Sequence, residues 1–228
     1  MALKGTGAVA IWHDIDTVGR EAFYAWHGVE HMVERVGING FNRGRRYRAL
    51  NADLEFFNLY EADTPAVLTG QDYQKRLNTP TPWTVETVKH FRKVNRSLCK
   101  VARSVSRAEG ALCTTWRYDV DDANANAHLT ALDREVFDRL GDDPAVVAGA
   151  HVLIADRAAS AVDTAERKAR GEMNRIPAWI LMVEGWGDAP DFARWCRDRV
   201  PDAMLMAAGA EGTIHRGVYQ LQITVSDT

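Results

Sequence analysis

Eight strand-like runs, in two sets of four, constrain the fold of this 228-residue chain more than any other feature. Each run is apolar throughout or alternates between apolar and polar residues, which is typical of strands. The first set spans 7–15, 41–50, 54–61 and 98–105, and the second spans 111–120, 146–155, 178–186 and 213–225. In each set a long helical pattern follows the first strand, and more helical sequence follows the third. The order β-α-β-β-α-β is that of a ferredoxin-like unit.

Local similarity between the two sets indicates an internal duplication. The segment from Gly7 to Asp14 resembles that from Gly110 to Asp119, and Leu59 to Pro65 resembles Val183 to Pro190. The second half is longer because a polar stretch at about 156–176 is inserted between two of its strands. A connection of this length is usually helical, mobile or functional. It is therefore either a lid over a site or a solvated excursion.

The sequence predicts an α+β fold made of two tandem ferredoxin-like repeats. Residues 1–106 form the first, which carries the candidate site, and residues 107–228 form a degenerate second one. Helices cover only one face of such a four-stranded sheet, so the other face needs a partner. Packing the two halves sheet to sheet meets that need within one chain.

Composition and charge exclude several classes of partner. The net charge is −3 and both signs are interspersed, so neither nucleic acid nor an anionic membrane is expected. No run of 18 apolar residues occurs and the chain starts without the apolar core of a secretion signal, which predicts a cytoplasmic protein. Cys99, Cys113 and Cys196 are too widely spaced for a disulfide framework or a thiolate zinc site.

A helix predicted over 18–36 carries the motif Trp26-His27-Gly28-Val29-Glu30-His31. One stripe of this helix is expected to pack on the sheet and consists of Ala22, Trp26, Val29, Val33 and Val36. A second stripe borders it and consists of Phe23, His27, Glu30, His31 and Glu34. Titratable groups at such a border are partly desolvated and still within reach of a substrate.

Three interpretations of this motif are open. In the first, which we adopt, His27 or else His31 is a general acid/base oriented by Glu30 or Glu34. In the second, the two histidines bind a metal, which requires a third ligand that spacing does not identify. In the third, these residues form ordinary pairs one turn apart on a solvated helix face.

Seven further residues on the first strands are candidates for substrate contact. Trp12 and His13 point to opposite faces of their strand, so only one of them reaches a pocket beside the helix. Arg43, Arg45 and Tyr47 share one face of the next strand, where either arginine would offset the charge of a developing oxyanion. Asn58 and Tyr60 share a face of the third strand, where an amide among aromatic residues would orient a carbonyl group.

The run from Phe23 to Tyr47, with its aromatic-His-x-x-Glu-His motif and its strand of Arg and Tyr residues, resembles the start of a dimeric α/β-barrel protein. The resemblance is closest to the EthD-type group and covers residues 5–106. The second half matches only in the order of its elements, since Leu129 to Leu140 lacks the histidine pair. The resemblance implies two ferredoxin-like units joined through their sheets, with one site per chain. The superfamily includes isomerases, cofactor-independent monooxygenases and haem enzymes, so fold alone does not define the reaction.

We therefore expect a small-molecule enzyme, namely a cofactor-independent acid/base lyase or isomerase acting on an apolar or aromatic carbonyl compound. No metal or other cofactor is expected, and pairing into a homodimer is left open. The alternatives are a cofactor-independent monooxygenase, a metal- or haem-dependent enzyme, and a non-catalytic binding protein. For haem, the candidate axial ligands are His90, His151 and His215.

Overall fold

The computed structural model describes residues 3–226, and its strands form one closed antiparallel barrel. The eight strands of this part of the chain are β1 (Gly7–Ile15), β2 (Phe41–Asn51), β3 (Phe56–Ala62), β4 (Phe91–Ser106), β5 (Leu112–Val120), β6 (Val147–Ala155), β7 (Trp179–Gly185) and β8 (Ala210–Ser226). Their order around the barrel is β1-β3-β2-β8-β5-β7-β6-β4. The predicted strand runs match these elements closely, except that β4 begins seven residues before the expected start.

Helices join the strands and cover the outside of the barrel. In the first half they are α1 (Arg20–Trp26), α2 (Met32–Val36), α3 (Gln71–Asn78) and α4 (Pro82–Val88). In the second half they are α5 (Ala125–Glu135), α6 (Arg157–Ser160), α7 (Ala165–Arg170), α8 (Ala189–Arg199) and α9 (Asp202–Ala207). Within residues 3–226 no helix is both long enough and apolar enough to span a membrane.

The barrel confirms the tandem ferredoxin-like architecture. The strand order within the first half is β4-β1-β3-β2, and the second half repeats it as β8-β5-β7-β6. The two sheets join edge to edge, because β2 pairs with β8 and β4 pairs with β6. The edge strands of each sheet therefore form hydrogen bonds with the other half of the same chain. The face of each sheet that no helix covers packs against that half inside the barrel.

Alternation along the strands sorts the side chains into an inner and an outer set. Trp12, Tyr47, Phe57 and Tyr219 belong to one apolar cluster inside the barrel, to which strands of both halves contribute. The residues between them face the helices, as the outer cluster around Tyr60 illustrates. A candidate residue therefore reaches the helix-side site only if it belongs to the outer set.

A single π-turn, His27–His31, interrupts the first helix between α1 and α2. The Met32 N–H donates to the His27 carbonyl, five residues back, which adds one residue to that turn. The extra residue rotates the following positions, so Val29 is 71% exposed and Val33 is 52% exposed. The expected sheet-facing stripe was wrong at these two valines and at Ala22, which lies before the π-turn and is also exposed. Phe23, Trp26, His27, His31, Met32, Arg35 and Val36 are buried in their place.

The inserted segment 156–176, which we call the strap, lies on the first half of the chain. At its start the Asp156 N–H donates to the Leu98 carbonyl over 2.8 Å, and near its end the Arg175 N–H donates to the Val94 carbonyl over 2.9 Å. Between these attachments, α7 packs against α3 and α4. The segment is therefore a cover on the first half, and the alternative of a solvated excursion was wrong.

Candidate functional site

A narrow cavity of about 50 Å³ lies between the π-turn and the outer face of the first sheet, and the strap closes it. Apolar and aromatic side chains form most of its wall, among them Ile11, Trp26, Leu77 and Phe91. His27 and His31 begin and end the π-turn and lie on the same wall, with their ring centroids 5.5 Å apart. Both histidines, together with Asn58 and Tyr60, line the cavity.

Both ring nitrogens of His27 are engaged by neighbours. Arg46 Nη1 lies 3.4 Å from Nδ1, and a guanidinium only donates, so Nδ1 accepts. The ring proton is therefore on Nε2, which lies 3.3 Å from the Tyr60 hydroxyl. Burial, followed by the charge of Arg46, lowers the pKa of His27 well below its usual range. The imidazole is neutral at pH 7, and its lone pair is occupied.

His31 is the histidine with an available nitrogen. Its Nδ1 is buried and has no hydrogen-bond partner among residues 3–226. The ring packs on Trp26, with 4.2 Å between the centroids. Burial, followed by the charge of Arg35, lowers the pKa of His31 well below its usual range. His31 is thus a neutral, desolvated base that faces the cavity.

Arg35 follows His31 by one helical turn and lines the same cavity. Its Nη2 donates to Glu166 Oε2 of the strap over 2.5 Å. Its Nη1 is buried and, in the described part of the chain, has no hydrogen-bond partner. A neutral base and a cationic donor therefore lie one turn apart on one helix wall, an arrangement suited to removing a proton and stabilising the resulting oxyanion.

His13 also belongs to the outer set and supports Asn58 from beneath. Its Nδ1 lies 3.3 Å from the Asp14 carbonyl, so this nitrogen carries the proton. Its Nε2 then accepts from Asn58 Nδ2 over 3.0 Å. Burial lowers the pKa of His13 to about 3, which keeps the ring neutral. The Asn58 oxygen Oδ1 is buried without a partner within residues 3–226, as is expected of a group that meets a ligand.

The two carboxylates expected to orient the histidines bind other groups. Glu30 accepts from the Thr81 hydroxyl over 2.6 Å, and Glu34 accepts from Arg76 Nη1 over 3.0 Å. The π-turn rotates Glu30 away from the sheet, so it lies against the start of α4. The expectation that Glu30 or Glu34 orients His27 was therefore wrong, and Arg46 and Tyr60 contact that ring in their place.

Four of the expected contact residues lie inside the barrel, across the sheet from the cavity. Trp12 Nε1 donates to Thr115 Oγ1 over 3.2 Å, and Tyr47 stacks near Phe57. Arg43 and Arg45 share Glu61, with Nη2 to carboxylate oxygen distances of 2.8 Å and 2.9 Å. Strand alternation thus separates Arg43, Arg45, Tyr47 and Trp12 from His27 and His31, while it places His13, Asn58 and Tyr60 at the cavity side.

Sequence reasoning missed five charged residues of the site, namely Arg35, Arg46, Arg96, Glu166 and Arg170. Arg35 lies on α2 and Arg46 on β2, close to the histidine motif in sequence, but an arginine beside a histidine pair has no specific signature. Glu166 belongs to the strap and reaches Arg35 across 131 positions of the chain. No spacing within the sequence indicates a contact of that separation.

The residues at the cavity do not suit a metal ion. Within residues 3–226, no group of three or more His, Cys, Asp or Glu side chains is arranged to hold one. The groups next to the two histidines are the guanidiniums of Arg35 and Arg46, which repel a cation.

The candidate axial ligands for haem lie elsewhere. His151 is buried inside the barrel, where Nδ1 lies 2.8 Å from the Ser104 hydroxyl. His215 lies on β8 in the second half of the chain and pairs with Asp53, with 3.3 Å between Nδ1 and Oδ2. His90 packs on Gly19 and does not line the cavity. A cavity of about 50 Å³ is also far too small for a porphyrin. The residues present do not fit haem.

Solved structures share this fold at low sequence identity. An anthrone oxidase-like protein matches with a TM-score of 0.64 and 14% identity over 98% of this chain and 93% of that one. A candidate monooxygenase of Lactobacillus acidophilus matches with a TM-score of 0.58 and 10% identity over 97% and 96% of the two chains. A haem-binding protein of Thermus thermophilus matches with a TM-score of 0.50 and 10% identity over 96% and 92%.

These neighbours are of the dimeric α/β-barrel type, so the chain has the dimeric α/β-barrel fold expected from its first half. The sequence matches no protein-family model and no curated protein.

Proposed function

We propose that this protein is a cofactor-independent monooxygenase that oxidises an aromatic compound with an acidic C–H group next to a carbonyl-bearing ring, as in an anthrone. The observation that carries the proposal is the unpartnered Nδ1 of neutral His31, in a cavity walled by aromatic, aliphatic and charged side chains, one turn from Arg35. The anthrone oxidase-like and monooxygenase names of the fold neighbours favour this chemistry over the lyase or isomerase expected from the sequence.

The proposed reaction needs only a base, an oxyanion partner and O₂. His31 removes one proton from the ring carbon, and Arg35 stabilises the oxyanion that forms as the electrons delocalise. The electron-rich anion transfers an electron to O₂, and the two radicals combine into a carbon–oxygen bond. The protonated His31 returns its proton to the peroxide. Loss of the second C–H proton then breaks the O–O bond, so that one oxygen stays as a carbonyl and the other leaves as water.

Neutral His31 suits both proton steps, because burial holds its pKa low in the empty site and an anionic intermediate would raise it. His27 has a different part in this proposal. With its Nδ1 bound by Arg46, it donates from Nε2 to Tyr60 and holds that hydroxyl at the cavity wall. We therefore assign the acid/base role to His31 and a positioning role to His27, which reverses their expected order.

Oxygen uptake by the purified protein supplied with anthrone tests this function. We expect consumption of O₂ with formation of anthraquinone, and a loss in kcat of about 100-fold or more in His31→Gln. His215→Gln is the matched control, because His215 lies on the barrel surface beside Asp53, and it should keep the wild-type rate.

Two outcomes contradict the proposal. One is a His31→Gln variant that turns over as fast as the wild type. The other is conversion of the substrate at the same rate without O₂, which identifies the isomerase or lyase reaction.

A further inference from the structure

The middle of the strap is held by polar contacts. None of the residues of α7 is buried, and Val162 and Met173 are exposed. Three hydrogen bonds attach this part to the first half: the Ala165 N–H donates to Asn78 Oδ1 over 3.1 Å, Glu166 accepts from Arg35 over 2.5 Å, and Glu172 accepts from the Lys93 N–H over 2.9 Å. A segment with so little buried apolar surface opens at a small fraction of the free energy of global unfolding.

A left-handed glycine ends α7. Gly171 has φ +83°, a conformation that other residues adopt rarely, and a Cβ at this position would meet no atom within 4 Å. The strap thus has two ends held by backbone hydrogen bonds to β4, and a centre above the cavity held by bonds that involve side chains. An aromatic ligand needs more than the present 50 Å³, so it enters only when this centre moves.

The charges that line the cavity favour an anion. Three guanidiniums line it, those of Arg35, Arg96 and Arg170, against the single carboxylate of Glu166. The neutral histidines add no charge. Arg96 Nη2 donates to the Tyr73 hydroxyl over 3.0 Å. Among residues 3–226, no carboxylate forms an ion pair with Arg96. Arg35 is buried, and Arg96 and Arg170 are half-buried, so a cluster of three guanidiniums with one carboxylate favours an anionic partner.

We propose that the ligand of this cavity is an aromatic anion, and that its carboxylate or phenolate takes the place of Glu166 on Arg35 while the strap opens and closes again. Glu166 is then an internal substitute for the ligand's charge. It keeps Arg35 paired in the free protein and competes with the ligand. The inference rests on the proposed function for the aromatic part of the ligand, and on the arginines for its charge.

Equilibrium binding of 2-naphthoate and 2-naphthamide under nitrogen tests the proposal, because the two probes share a shape and differ in charge. Titration calorimetry should give an affinity at least tenfold higher for naphthoate. Glu166→Gln removes the competing charge, so it should bind naphthoate severalfold more tightly than the wild type and show faster amide hydrogen exchange over 161–174. Glu172→Gln lies on the same strap but accepts from the Lys93 N–H outside the cavity, and it should bind naphthoate as the wild type does.

Equal affinity for the two probes overturns the proposal, as does a Glu166→Gln variant whose naphthoate affinity and hydrogen exchange match those of the wild type. Because no O₂ is present and no turnover is measured, this result is independent of the oxygen-uptake assay. A protein that binds naphthoate as described but never consumes O₂ contradicts the proposed reaction alone.

Discussion

Asn58 Nδ2 donates to His13 Nε2 over 3.0 Å, and this bond determines which atom of the amide faces the cavity. His13 Nε2 can only accept, because Nδ1 holds the ring proton against the Asp14 carbonyl. The amide nitrogen must therefore point to His13, which leaves Oδ1 at the cavity wall. A histidine that meets no ligand thus defines the polarity of a residue that does.

Asn58→Asp should destabilise the protein by about 2–4 kcal/mol at pH 8, because a carboxylate and His13 Nε2 both accept and leave a buried charge unpartnered. At pH 6 the loss should shrink, since a protonated His13 donates to the new carboxylate. Urea unfolding at both pH values measures this. Asn51→Asp, on the exposed end of β2, serves as the control and should change stability by less than about 0.5 kcal/mol. Equal losses at both sites would show that the amide orientation is unimportant.

The buried histidines predict a loss of stability in mild acid. His13, His27 and His31 all have pKa values lowered by burial, whereas unfolded histidines titrate near pH 6.5. Below pH 6.5 the unfolded chain therefore binds protons that the folded chain does not. The free energy of unfolding decreases as the pH is lowered. The three together should remove about 3 to 4 kcal/mol between pH 6 and pH 5. Denaturant titrations at these values measure the loss, which His31→Gln should reduce by about 1 kcal/mol over this interval. A flat profile would contradict the burial of these rings.

Glu61→Gln should destabilise the barrel by about 3–5 kcal/mol, because Glu61 is the carboxylate that Arg43 and Arg45 share inside it. Thermal and urea unfolding measure the loss. Glu86→Gln removes an exposed carboxylate that pairs with Lys89 and should cost less than about 1 kcal/mol. A Glu61 variant as stable as the Glu86 variant would mean that water replaces the missing charge.

The rotated helix face predicts contrasting effects at two consecutive residues, Met32 and Val33. Val33→Lys should leave stability within about 0.5 kcal/mol of the wild type, since that side chain is half exposed. Met32→Ala should cost about 2–5 kcal/mol, because Met32 is fully buried in the outer cluster with Tyr60. Unfolding midpoints compare the two, and the reverse order would restore the unbroken helical face that the sequence pattern suggests.

The fold could be predicted from the sequence because its signals are local. A continuous apolar and β-branched run marks Gly7–Ile15 to the residue, and the repeated order of elements indicates the duplication. The early part of β4 was missed because Arg92, Lys93 and Arg96 break the apolar pattern, although this part of the strand pairs with β1. Backbone pairing with β1 forms this part of β4, and an apolar sequence pattern does not indicate such pairing.

The site was predictable only in part. The helix and both histidines were found, and the outer residues His13, Asn58 and Tyr60 do line or support the cavity. The π-turn was not predicted, because one added residue in a helical turn has no signature in the sequence. It nevertheless changes which side chains face the sheet. The strap was located as an insertion, but its position on the opposite half depends on contacts between distant residues such as Glu166 and Arg35.

Because one polypeptide contains both the cavity and the strap that closes it, closure is an intramolecular event. Its equilibrium is governed by an effective local concentration that the covalent connection sets, and the amount of protein in solution does not enter. In a barrel assembled from two separate chains, dilution would separate a cover from the site it protects. Here, affinity for a ligand should be the same in nanomolar and micromolar solutions of the protein.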